Sequence, residues 1–86
     1  PFQLQRVVAY PNPASDQVSV AFALIFRQDL TMVVYNSQGQ LVYGEHFEDT
    51  SEFQTTIALE GWASGMYQVF VIREDGTVDL GRFVKS

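Results

Sequence analysis

One histidine, His46, and no cysteine leave few chemistries open to this chain. A nucleophilic triad needs a histidine beside a serine or cysteine, with a carboxylate to orient the ring. His46 stands near the end of an alternating segment, and the sequence holds no Gly-x-Ser-x-Gly elbow. It reads as a surface or edge residue. A zinc site here would draw nearly every ligand from carboxylates, which zinc seldom does. Without cysteine there is neither thiolate chemistry nor a disulfide. These residues predict no enzyme and no cofactor.

Glu45, Glu48, Asp49 and Glu52 form the densest carboxylate run. Calcium favours clustered carboxylates and loop carbonyls, but the run lacks the Asp-x-Asp-x-Asp-Gly spacing and reads as a solvated acidic connection. Glu74-Asp75-Gly76 is explained by turn chemistry. Trp62 and the tyrosines suggest a sugar platform, since aromatic faces stack on pyranose rings. Trp62 lies in a corner with Gly61 and Gly65, however, and that placement predicts a cap over the open end of a core. Tyr67, just after Gly65, is expected to bury its ring while its hydroxyl ties down a neighbouring loop backbone, as a tyrosine corner does.

The elements that carry these residues have a period of two almost throughout. Val18, Val20, Phe22 and Leu24 alternate with Gln17, Ser19, Ala21 and Ala23, a half-buried strand with small residues outside. Residues 30–35 and 66–73 are apolar on both faces, as central strands are. Asn36-Ser37-Gln38-Gly39 and Asp75-Gly76 mark turns. The pattern predicts strands over 4–10, 16–25, 30–36, 40–47, 53–59, 66–73 and 78–85, with no helical period. About seven strands at roughly 8–12-residue spacing predict an all-β chain. Pro1, Pro11 and Pro13 lie outside the later strands, where they would remove ladder donors. An immunoglobulin-like antiparallel β-sandwich, one domain over residues 1–86, is the economical fold.

Composition agrees with a packed domain. Hydrophobic residues make up 47% and aromatics 14% of the 86 residues, too apolar for a disordered chain. A chain this short buries only about 60–65% of its unfolded surface, so its core must be dense. The net charge of −5 argues against nucleic acid and anionic membrane surfaces as partners. No apolar run approaches the ~18–20 residues of a membrane span. The chain opens on Pro1 and reads as a piece of a longer protein.

Four segments, taken in order, carry a resemblance. Tyr10-Pro11-Asn12-Pro13-Ala14-Ser15-Asp16 is followed by an alternating strand. Val33-Val34-Tyr35-Asn36-Ser37-Gln38-Gly39-Gln40-Leu41-Val42 is a strand, a turn with glycine and a returning strand. Leu59 to Ile72 contains Ala63-Ser64-Gly65-Met66-Tyr67, and Arg82-Phe83-Val84-Lys85 closes the series. Together they resemble the C-terminal sorting domains of the type IX secretion system, from Val7 to Lys85.

The resemblance implies a secretion and sorting signal attached behind an N-terminal cargo domain. Such a domain is read in the periplasm of a Gram-negative bacterium by the type IX machinery. The cargo is then carried to the cell surface or the extracellular space. A sortase-like peptidase removes the domain, with a cut near or before Pro1. The sorting-motif residues carried over are Pro11, Asn12, Pro13, Gly39, Gly65, Tyr67 and Lys85. Pro11 and Pro13 fix φ twice and stiffen a bend, and Gly39 and Gly65 sit where glycine turns cheaply. Lys85 has little fold-keeping work and is the better candidate for recognition. Residue chemistry alone keeps a rival open, a carbohydrate-binding or adhesive sandwich retained on a secreted protein. Strands apolar on both faces also predict a weak homodimer.

Overall fold

The alternating segments build five antiparallel strands: β1 (Val8–Tyr10), β2 (Gln17–Tyr35), β3 (Leu41–Ala58), β4 (Gly65–Arg73) and β5 (Val78–Lys85). The structure, a computed structural model, describes residues 7–86, with Ile25 by its backbone alone. Pro1 and the first three positions of the strand expected over 4–10 lie outside the described residues.

β2 is the spine. Its first part pairs with β1 on one side, Val8 opposite Ala21 and Tyr10 opposite Ser19. Its last part pairs with β4 on that same side, from Leu30 opposite Arg73 to Tyr35 opposite Gln68. β3 follows β2 along its other side, from Gln17 opposite Ala58 to Tyr35 opposite Leu41. β5 completes the order beyond β4. The result is two layers. One holds β1 with 17–23 of β2 and 52–58 of β3; the other holds 41–47 of β3, 30–35 of β2, β4 and β5.

The all-β, immunoglobulin-like sandwich stands, while the count of about seven strands is corrected to five. The segments 16–25 and 30–36 are one strand, as are 40–47 and 53–59. The reason is that the chain bends between layers through bulges and not through turns. Residues 24–27 of β2 face Ser51 alone of β3, three residues in excess, where Ala23 opposite Glu52 gives way to Gln28 opposite Thr50. The compensating irregularity in β3 includes Asp49, whose φ of 47° is the left-handed conformation that aspartate tolerates. Arg27 Nε donates to Asp49 Oδ1 at 3.1 Å, and Asp29 Oδ1 accepts the Asp49 N–H at 3.0 Å. Polar residues therefore serve a bend where the sequence suggested a loop.

Inward-facing positions follow the alternation. Val18, Val20, Leu30, Met32, Val34, Leu59, Val69, Val71 and Phe83 are all fully buried. Burying each such side chain contributes about 1.5–3 kcal/mol. No buried side-chain polar atom among the described residues lacks a partner. The sandwich is thus held by an uninterrupted apolar core that needs no disulfide. β4 and β5 are joined by the expected Asp75-Gly76 hairpin, with Gly76 at φ 89°. Asp75 accepts the Thr77 N–H at 2.9 Å, which holds its carboxyl below the usual aspartate range. A bidentate Arg73–Asp79 pair, 2.9 and 3.1 Å, braces the same hairpin.

The two layers are drawn together along the β5 side. Val7 lies on Gly81, and a Cβ on that glycine would meet the Val7 side chain and carbonyl oxygen at 2.9 Å. Ala14 forms a parallel bridge with Lys85. The sheet therefore comes close to closing on itself.

Candidate functional site

The Pro11-Asn12-Pro13 segment links β1 to β2, and both of its X-Pro bonds are cis. The three residues are exposed, but Asn12 is committed: its Oδ1 accepts the Val84 N–H at 3.0 Å. Ala14, fully buried, continues the contact. Its N–H donates to the Val84 carbonyl at 2.8 Å, and its carbonyl accepts the Ser86 N–H at 2.8 Å. The first motif is thus stitched along the free side of the last strand. Lys85 stands between Ala14 and Gly65, paired through its backbone with both. Its side chain is half-buried, and among the described residues Nζ donates only to the neighbouring Ser86 carbonyl at 3.1 Å. The backbone of Lys85 keeps the fold; its ammonium group does not.

Gly39 closes the turn between β2 and β3 at φ 81°, donating to the Asn36 carbonyl at 3.0 Å. Asn36 organises that turn. Its Oδ1 accepts the N–H groups of Gln38 and Gln40, both at 2.9 Å, and its Nδ2 donates to Gln40 Oε1 at 2.8 Å. Sequence reasoning singled out the glycine and passed over this asparagine. Its place at the head of a glycine turn is the signal that would have found it.

The corner before β4 behaves as expected of a tyrosine corner. Gly65 has φ 143°, a conformation L side chains rarely adopt. Two residues later the Tyr67 ring is buried, stacked on Phe83 at 5.3 Å between centroids, and its hydroxyl donates to the Ala63 carbonyl. Trp62 packs against Tyr67, with centroids 5.1 Å apart, and is half-buried against the core. Trp62 is therefore a cap over the core and does not offer a flat platform to a sugar.

All four motif segments meet at one pole. Asn12 and Ala14 touch β5, Lys85 pairs with Gly65, and Gly65 lines a cleft of about 170 Å³ with Asn36, Gln38 and Ser64. A larger depression, about 560 Å³, lies over residues 21–23 of β2 and 52–54 of β3. Val8, Phe22, Phe53 and Gln54 border it beside Ala21 and Ala23, and no motif residue lines it.

The family model for the secretion system C-terminal sorting domain matches residues 8–85. The chain belongs to that family. No curated protein matches it. Membership makes this a type IX sorting signal, and the family is one of signals and not of enzymes. It implies a working contact with secretion machinery, an attached N-terminal cargo and transit through the envelope toward the surface or beyond.

In the sorting domain His46 is exposed, with its ring Nδ1 3.0 Å from Thr31 Oγ1. The carboxylate run is divided among separate tasks. Glu45 accepts the Tyr43 and Thr55 hydroxyls at 3.0 and 3.3 Å, while Asp49 serves the bend. Among the described residues no group of three or more histidines and carboxylates is placed to hold a metal ion.

Proposed function

We propose that this domain is a detachable C-terminal address. The type IX machinery reads it in the periplasm and carries the attached cargo across the outer membrane. A sortase-like peptidase of that machinery then cuts upstream of the first strand and releases the cargo. The observation that carries this reading is the gathering of all four motif segments at one pole. Pro11, Asn12, Pro13, Gly39, Gly65 and Tyr67 shape that pole, and the Lys85 ammonium group, bonded only to its chain neighbour Ser86 among the described residues, is available to meet a receptor.

Fusion of the domain behind a periplasmic reporter, in a strain with the machinery, tests the proposal. The reporter is expected at the cell surface, and removal of Val78–Ser86 is expected to abolish display. Surface display that survives that deletion would overturn the reading.

A weak homodimer goes with this proposal. Met66, Ile72, Val78, Leu80 and Val84 are exposed on the outer faces of β4 and β5. Sedimentation at rising concentration should show reversible growth in mass; a clean monomer at millimolar concentration removes the dimer.

A further inference from the structure

The cleft at the motif pole has two kinds of lining group. Some are consumed by the fold. The Asn36 side chain makes three hydrogen bonds within its own turn, and the Tyr67 hydroxyl is spent on Ala63. The side chains of Ser37, Gln38 and Ser64 are different. They are exposed, line the cleft, and hydrogen-bond to no partner among the described residues. Neither turn geometry nor packing asks for a hydroxyl or an amide at these positions.

The size of the cleft limits what enters it. Small-molecule pockets run to about 300–1,000 Å³. A cleft of about 170 Å³ has room for one small side chain or a stretch of backbone. Its rim adds apolar surface: Met66 and Val84, paired across β4 and β5, are 45% and 37% exposed. Uncharged donors and acceptors beside exposed apolar side chains are the make-up of a protein–protein contact.

Charge supplies the orientation. Six of the ten acidic residues, Asp29, Glu48, Asp49, Glu52, Glu74 and Asp75, gather with Arg27 and Arg73 at the bend and the β4–β5 hairpin, a net acidic far end of the strands. Among the described residues the motif pole carries Asp16 and Glu60 against Arg82 and Lys85 and is close to neutral. An acidic end stays solvated, and a neutral end loses least when it is desolvated.

We infer that the domain docks pole-first, with Ser37, Gln38 and Ser64 hydrogen-bonding an uncharged loop of its protein partner seated in this cleft. The inference rests on the sorting reading and names the surface through which it works. The reporter fusion tests both. Ser37→Ala, Gln38→Ala and Ser64→Ala combined remove the free groups without touching the turn or the corner. Display is expected to fall about tenfold or more, in proportion to two or three lost hydrogen bonds, with the melting temperature unchanged. Ser64→Trp, which fills the cleft, should do the same. Glu48→Ala with Glu52→Ala at the far end should leave display intact. Normal display of the triple variant, or loss confined to the far-end pair, overturns the pole-first docking while the sorting reading stands. A wild-type fusion that stays inside the cell overturns both.

Discussion

The Asn12 side-chain oxygen accepts the backbone N–H of Val84 at 3.0 Å, joining the first motif of the chain to its last strand across 72 positions. Without it, the donor on the free side of β5 would turn to solvent. Ala14 repeats the contact one step on, with its N–H and carbonyl both engaged by β5 and Ser86. The proline segment is therefore a clasp on the edge of the second layer as well as a bend.

Asn12→Ala should loosen the clasp locally. A hydrogen bond of this kind contributes about 0.5–1.5 kcal/mol. The Val84 amide should exchange with solvent roughly three- to tenfold faster, while the Val69 and Val71 amides in β4 stay protected. Asn12→Asp retains the acceptor and should restore protection. Equal exchange at Val84 in Asn12→Ala and wild type would show that the contact contributes nothing.

Tyr67 separates the contribution of a hydroxyl from that of a ring. Tyr67→Phe keeps the stack on Phe83 and the packing of Trp62 but frees the Ala63 carbonyl, which water can reach. The expected loss is about 1 kcal/mol, or about 4–8 °C in melting temperature for a domain of this size. Tyr67→Ala also opens a cavity and should cost about 3–5 kcal/mol. That is comparable with the total stability of a domain this small, about 4–13 kcal/mol. A melting temperature unmoved in Tyr67→Phe would leave the ring as the only contributor.

The alternation that announces each sheet segment, and the glycines at 39, 65 and 76, were legible because period and positive φ are local properties. Tyr67 was legible for the same reason: its spacing from Gly65 fixes which way the ring and the hydroxyl point. The passage of β2 and β3 between layers was not. Residues 27–29 and 48–52 are polar and read as breaks between strands, and only their pairing across the bend, with Arg27 and Asp29 meeting Asp49, keeps them extended. The cleft was equally hidden. Ser37 and Ser64 belong to different segments, and only the fold brings them to one wall.

Tyr43 gives the domain an alkaline signature. Burial raises its hydroxyl pKa above the ordinary tyrosine value, and the hydrogen bond to Glu45 and that residue's charge add to the rise. A group whose folded pKa is raised stabilises fully below its unfolded pKa, about 10 for tyrosine, and loses that contribution as pH rises through the folded value. Stability should therefore decline above about pH 10. The ring-carbon resonances of Tyr43 should titrate late, and Glu45→Gln should bring that titration down. A Tyr43 titration indifferent to Glu45→Gln would leave burial as the sole cause.

Gly81 and Gly44 make opposite predictions from the same substitution. A Cβ at Gly81 would strike the Val7 carbonyl oxygen and side chain at 2.9 Å, and backbone cannot step aside cheaply. Gly81→Ala should cost about 1–3 kcal/mol by overpacking and push Val7 and β1 away from β5. At Gly44 the nearest atoms, the Met32 carbonyl oxygen and a Val33 methyl, lie at 3.8 Å, an ordinary contact, and φ is not positive. Gly44→Ala should stabilise by about 0.4–1 kcal/mol, because alanine leaves the unfolded chain less freedom to lose. Thermal melts of the two variants should move in opposite directions from wild type. If Gly81→Ala melts with wild type, Val7 can leave β5 without loss, and the near-closure of the sheet is no part of what holds the domain together.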